Sequence, residues 1–156
     1  DFNSWGQTAA LLAQLLERHT APERLPEESS HQELVAQLFV AAWLVCDGSE
    51  EQRRSFIAAG GITSLCRALQ LDSEDAMLEC AAGAARAMCQ DSTASQDAFM
   101  EAGGLELLVA LLEHRTFEVR QNAAKAICAA AESEKPQRRI GDLGAISKVR
   151  QVLGAG

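Results

Sequence analysis

Tyrosine is absent from this chain, and aromatic residues make up only 4% of it. Proline is limited to Pro22, Pro26 and Pro136. That scarcity suits stacked helices rich in alanine and leucine, because proline interrupts helices. No apolar run approaches the roughly 18 residues that a membrane-spanning helix needs, and no cleavable targeting segment is evident. Basic residues are outnumbered, and the net charge is −8. A broadly basic surface for DNA or RNA is therefore missing, which argues against nucleic acid as a partner. The acids gather between Glu17 and Glu33 and along loops. There they read as a solvated face that keeps the protein soluble.

The residue patterns of catalysis are missing too. No H-E-x-x-H occurs, and none of His19, His31 and His114 lies four residues from another. A zinc site thus lacks its usual basis. The Gly60-Gly61 and Gly103-Gly104 pairs are not followed by the lysine of a phosphate loop. Ser55, Ser64 and Ser95 have no histidine and acid partners visible in the sequence. The expectation is a chain without catalytic residues, metal or cofactor. His114, beside Glu113, reads as a solvated side chain at a helix end, where it complements the helix dipole.

Five cysteines are present: Cys46, Cys66, Cys80, Cys89 and Cys128. None forms a C-x-x-C pair, the number is odd, and no Asn-x-Ser/Thr site accompanies them. They read as reduced thiols serving as small core hydrophobes. This points to a reducing, intracellular setting, cytoplasmic or nuclear.

What the chain does have is a segment stated three times. Arg53 to Gln70 is RRSFIAAGGITSLCRALQ, Gln96 to Glu113 is QDAFMEAGGLELLVALLE, and Gln137 to Gly154 is QRRIGDLGAISKVRQVLG. The anchoring glycines Gly60, Gly103 and Gly144 are 43 and 41 residues apart. A helical period of about 40–47 residues marks a solenoid. Ile62, Leu105 and Ile146 are equivalent, as are Leu65, Leu108 and Val149, and Leu69, Leu112 and Leu153. Their i, i+3, i+7 spacing predicts one apolar helix face. Phe56, Phe99 and Ile140 form a further column. Each copy reads as a short helix, a glycine turn and a second helix, since glycine reaches positive φ without a Cβ penalty.

A third, alanine-rich helix is predicted over Ala76 to Cys89 and over Glu118 to Ala131, with Leu34 to Cys46 as its earlier counterpart. Four cysteines, Cys46, Cys80, Cys89 and Cys128, fall on these helices. Ser30-x-x-Glu33, Ser49-x-x-Gln52 and Thr93-x-x-Gln96 fit capping boxes, and Thr116 is placed to cap the helix near Phe117. Asp47-Gly48 reads as a helix stop. Ser4 to Arg18 reads as an opening helix carrying Leu11, Leu12, Leu15 and Leu16. His19 to Ser30 follows as a loop with two prolines.

At Glu101 to Ser133, EAGGLELLVALLEHRTFEVRQNAAKAICAAAES resembles an armadillo repeat. Ala59 to Gln90 matches it fairly and Leu143 to Leu153 in part. The resemblance implies an all-α, right-handed superhelical solenoid of about three and a half three-helix repeats. They divide as 1–47 (a partial repeat with the 19–30 loop), 48–91, 92–133 and a truncated 134–156. The start at Asp1 and the missing third helix after Gly154 read as a trimmed piece of a longer array. Solenoid ends without polar caps would expose apolar surface and support self-association.

The resemblance also implies that third helices line a concave face that binds protein segments. At an offset of 43, Trp43 falls on Arg86 and Asp47 on Gln90. Aligning Cys89 with Cys128 adds Lys125 to the first column and Ala129 to the second, and it sets Asn122 against Gly83. Armadillo proteins that bind extended peptides often carry tryptophan in the first column and asparagine in the second. Only Trp43 matches, so recognition of basic nuclear-import signals is not expected. Trp43, Asp47, Arg86, Gln90, Asn122 and Lys125 are the candidate partner-binding residues. Arg86 and Lys125 suit an acidic or amphipathic segment, and Trp43 is an anchor candidate. The plainer alternatives are solvated charges for Arg86 and Lys125, and packing against the first helices for Trp43.

Overall fold

A computed structural model of the protein describes residues 7–21, 29–70 and 73–154. Ten helices occur among them. They are α1 (Thr8–Thr20), α2 (Ser29–Cys46), α3 (Glu50–Ala58), α4 (Gly61–Ala68), α5 (Asp75–Cys89), α6 (Thr93–Glu101), α7 (Gly104–Leu111), α8 (Phe117–Ala130), α9 (Glu134–Asp142) and α10 (Ile146–Gly154). No strand occurs among the described residues. No helix there is long and apolar enough to cross a membrane.

The three glycine turns adopt the expected conformation. Gly60, Gly103 and Gly144 have φ of 86°, 83° and 65°, a left-handed region that opposes any Cβ. The second residue of each turn is set by space instead. A Cβ on Gly61 would lie 2.2 Å from the ring of Phe56, and one on Gly104 would lie 2.4 Å from the ring of Phe99. The third copy solves the same contact differently. Ala145 stands where the other copies have glycine, and Ile140 replaces the phenylalanine, both buried. A smaller side chain above makes room for a methyl below.

Short turns separate the sets of helices. Gly48 follows α2 with φ 75°, and Asp91, one period later, follows α5 with φ 54°. The Asp47-Gly48 stop is therefore present, and aspartate tolerates the same turn. Ser49 accepts a hydrogen bond from the Gln52 amide at 3.3 Å, as an N-cap does. The next cap is Ser92, not Thr93, because Ser92 accepts from the Ser95 amide at 3.3 Å and Thr93 is the first helical residue. Thr116 occupies the N-cap position of α8 without a side-chain capping bond; its hydroxyl donates to Asp75 at 2.6 Å.

The ends of the predicted 19–30 loop are helical. α1 runs to Thr20, whose buried hydroxyl donates to the Leu16 carbonyl at 2.7 Å. α2 starts at Ser29, so Ser30 lies inside the helix and cannot cap it. The start of α1 expected at Ser4 and the middle of that loop lie outside the described residues.

Two rows of helices build the stack. α2, α5 and α8 pack side by side, and α3, α6 and α9 form a second row. α1 rests on α2, α3 and α4, while α7 and α10 rest on α8. Alanine lets the first row approach closely: Ala81, Ala82, Ala84 and Ala85 of α5 and Ala123, Ala124, Ala126 and Ala130 of α8 are all buried. Phe39, Phe56 and Phe99 are buried with them, each contributing about 1.5–3 kcal/mol by burial. Ile146 departs from its column. Ile62 and Leu105 are buried, but Ile146 is 52% exposed, and Leu153 is exposed too. α10 packs chiefly on α8, which leaves that side open.

Buried polar side chains tie one set to the next. Arg53 donates to the Cys46 carbonyl at 3.0 Å, and Gln96, one period on, donates to the Cys89 carbonyl at 2.7 Å. Each satisfies a carbonyl that a helix end leaves without an intrahelical partner. Gln96 also donates to the Ala129 carbonyl and the Glu132 carboxylate, both at 3.2 Å. The Ser133 hydroxyl closes the set by bonding the Gln96 side-chain oxygen. The ends of α5 and α8 are thereby joined through one amide.

Candidate functional site

A depression of about 250 Å³ opens between α2 and α5. Trp43 and Asp47 line it from α2 and the turn after it, and Arg86, Ala87 and Gln90 line it from α5 and its C-cap. Four of the six candidate residues thus meet in one place. Arg86 is the only exposed side chain in α5 between Ala81 and Cys89. It forms no ion pair among the described residues, and neither does Asp47.

Trp43 is half-buried and packs against the core. Its ring lies on Gly83 of α5: a Cβ at Gly83 would sit 2.7 Å from the ring edge. Glycine inside a helix costs about 1 kcal/mol relative to alanine. Here it provides the flat seat that lets the indole lie against a helix backbone.

Asn122 and Lys125 sit on α8, one helix further along, and do not line the depression. Asn122 donates to the Glu79 carbonyl of α5 at 3.3 Å. It bridges the two helices, so its amide is partly engaged inside the fold. Lys125 is half-buried and makes no ion pair among the described residues. Ala129, in the column of Asp47 and Gln90, is buried.

The thiols divide. Cys46, Cys66 and Cys89 are buried, and burial pushes their pKa up to about 12, 11 and 12. Such thiols are poor nucleophiles. Cys80 is half-buried and Cys128 is exposed, contrary to the expectation of a uniformly internal set. Cys128 points away because Ile127 and Ala124, its neighbours on α8, take the packed face.

Sequence reasoning missed a polar cluster at the start of α5. Asp75 accepts from the Thr116 hydroxyl at 2.6 Å and from Arg115 at 3.4 Å. The His114 Nε2 lies 3.6 Å from it. The Thr116 amide donates to His114 Nδ1 at 3.1 Å. The His114 side chain is only 8% exposed, so the expectation of a solvated histidine is overturned. The loop after α7 folds back onto the neighbouring set, a contact between positions 41 residues apart that spacing alone does not reveal. The Thr116 hydroxyl bonds the Asp75 carboxylate, and only the Thr116 backbone amide bonds the imidazole, so hydroxyl and imidazole are not arranged as a nucleophile and its base.

No protein-family profile matches the sequence, and no curated protein does. Solved structures resemble it closely in fold. A designed armadillo repeat protein is 22% identical, with a TM-score of 0.77, covering 94% of this chain and 57% of its own. A structure of computationally designed armadillo repeat proteins for modular peptide recognition is 21% identical, with a TM-score of 0.68, covering 94% of this chain and 66% of its own. An engineered protein is 24% identical, with a TM-score of 0.76, covering 93% of this chain and 54% of its own. The chain spans a little over half to two thirds of the length of these proteins. The architecture is an all-α solenoid of the armadillo repeat type.

Proposed function

We propose that this chain is a non-enzymatic binding scaffold for an extended or helical segment of another protein. The α2, α5 and α8 row carries the contact surface. Trp43 supplies an apolar wall, and Arg86 receives a carboxylate in bidentate geometry. Gln90 offers an amide to the bound backbone, Asp47 sets the polarity of the rim, and Lys125 with Asn122 extends the surface to α8. The partner is acidic or amphipathic. The observation that carries this reading is the shared depression of Trp43 and Arg86, with the Arg86 guanidinium unpaired among the described residues. A structural neighbour designed for modular peptide recognition supports it. A preformed groove leaves most of the ordering cost to the partner segment.

The cysteines, all free, support an intracellular setting, cytoplasmic or nuclear. The 1–47, 48–91, 92–133 and 134–156 division remains our reading of the repeat units. Selection from a random peptide display library tests the function. Peptides rich in Asp and Glu beside an apolar residue are expected, with retention lost on Arg86→Glu/Lys125→Glu. Selected peptides that bind both proteins equally would remove this surface from the account.

A second reading rests on the exposure of Leu11, Leu15, Leu34, Leu44, Ile146 and Leu153. It is association with a second copy or with neighbouring domains through these side chains. Sedimentation equilibrium separates the two: mass rising with concentration supports it, and a constant monomer mass removes it.

A further inference from the structure

His19 and His31 are 12 residues apart in sequence, yet the fold places His19 Nδ1 2.9 Å from His31 Nε2. His19 belongs to the last turn of α1 and His31 to the first turns of α2. The two rings stand edge to face, 83° apart, with centroids separated by 5.1 Å. Both side chains are half-buried, so solvent reaches the pair. α1 and α2 pack against one another, and that packing holds the nitrogens together.

We infer that His19 and His31 form a two-imidazole site for a borderline divalent cation such as Ni²⁺ or Zn²⁺. Two ring nitrogens converge on one point, where a hydrogen bond holds a proton between them. A cation can replace that proton from a position beside the line joining the nitrogens, with both rings neutral, each carrying its proton on the far nitrogen, and turned so that the two lone pairs meet at the metal. Metal–nitrogen bonds of about 2.0–2.1 Å separate two ligating nitrogens by about 3.0–3.4 Å. The observed 2.9 Å has to widen by no more than about half an ångström, within reach of ordinary side-chain rotation. Water completes the coordination, since no group of three or more His, Cys, Asp or Glu suited to a metal occurs among the described residues. Imidazole ligands and open positions favour late first-row cations over Mg²⁺ or Ca²⁺. Binding across α1 and α2 would fasten the first two helices of the stack and raise the stability of the folded form.

Ni²⁺ alone is the probe, titrated into the full chain at neutral pH. Calorimetry should give one saturable site. In NMR spectra the His19 and His31 ring signals should broaden first while those of buried His114 stay sharp. His19→Gln and His31→Gln should each abolish the heat with the circular dichroism spectrum unchanged, and His114→Gln should keep it. Absence of saturable binding overturns the site. So does binding that survives both His19→Gln and His31→Gln, or broadening centred on exposed Cys128. The NMR readout on the unaltered protein decides the matter even if a variant folds poorly.

Discussion

The indole of Trp43 fills the space that a Cβ on Gly83 would occupy, with Cζ3 2.7 Å from that position. One residue without a side chain thus sets how the anchor candidate of the groove lies, although the two are 40 positions apart.

Gly83→Ala should lift the indole off α5. Helix propensity alone favours alanine by about 1 kcal/mol, but overpacking costs about 1–3 kcal/mol. Because the chain has two tryptophans, Trp5→Phe gives a background in which Trp43 alone reports. Emission should shift to the red and peptide binding should weaken. Unchanged emission would show that the ring does not rest on Gly83.

The paired glycines of the middle turn should fail for different reasons. Gly103→Ala strains a backbone at φ 83° that has no neighbour within 4 Å of the new methyl, costing about 1–2 kcal/mol. Gly104→Ala drives a methyl into Phe99, costing about 1–3 kcal/mol. Phe99→Ile should relieve only the second, as the Ile140 and Ala145 pair does in the next copy. Urea denaturation of both double-mutant cycles should give a favourable coupling of about 0.5–3 kcal/mol for Gly104 and almost none for Gly103. Equal couplings would contradict the steric account.

Asp75 should make stability depend on pH. The Thr116 hydroxyl chiefly holds its carboxyl below the usual carboxylate range, helped by Arg115 and His114 and opposed by burial. A carboxyl depressed in the folded state stabilises above its unfolded value and loses that contribution as pH falls through the folded one. Asp75→Asn should therefore lower Tm at neutral pH, with the gap from wild type closing in acid. A gap constant from neutral pH to pH 3 would exclude this linkage.

Much of the fold was legible because repetition amplifies weak signals. Gly60, Gly103 and Gly144 marked the turns, and the i, i+3, i+7 columns marked the second helices. The alanine-rich segments marked the row that packs most closely. Contacts between sets were not legible, because they depend on the distance between helices and not on spacing along one. Gly83 beneath Trp43, Thr116 on Asp75 and His19 beside His31 are all of this kind. The Thr93 error came from one residue of ambiguity between adjacent hydroxyls, and Thr116 holds the N-cap position while its hydroxyl reaches Asp75 of the neighbouring set. Within the candidate site, the Trp43 and Arg86 columns were readable from the offset of 43. The engagement of Asn122 with the Glu79 carbonyl was not.

The groove reading is tested most directly by the affinity of one selected acidic peptide for two proteins. Fluorescence anisotropy would compare the wild type with Arg86→Glu/Lys125→Glu, with helicity checked by circular dichroism. A loss of about tenfold or more, equivalent to about 1.4 kcal/mol, at unchanged helicity is the predicted result. Equal affinity at unchanged helicity would contradict it.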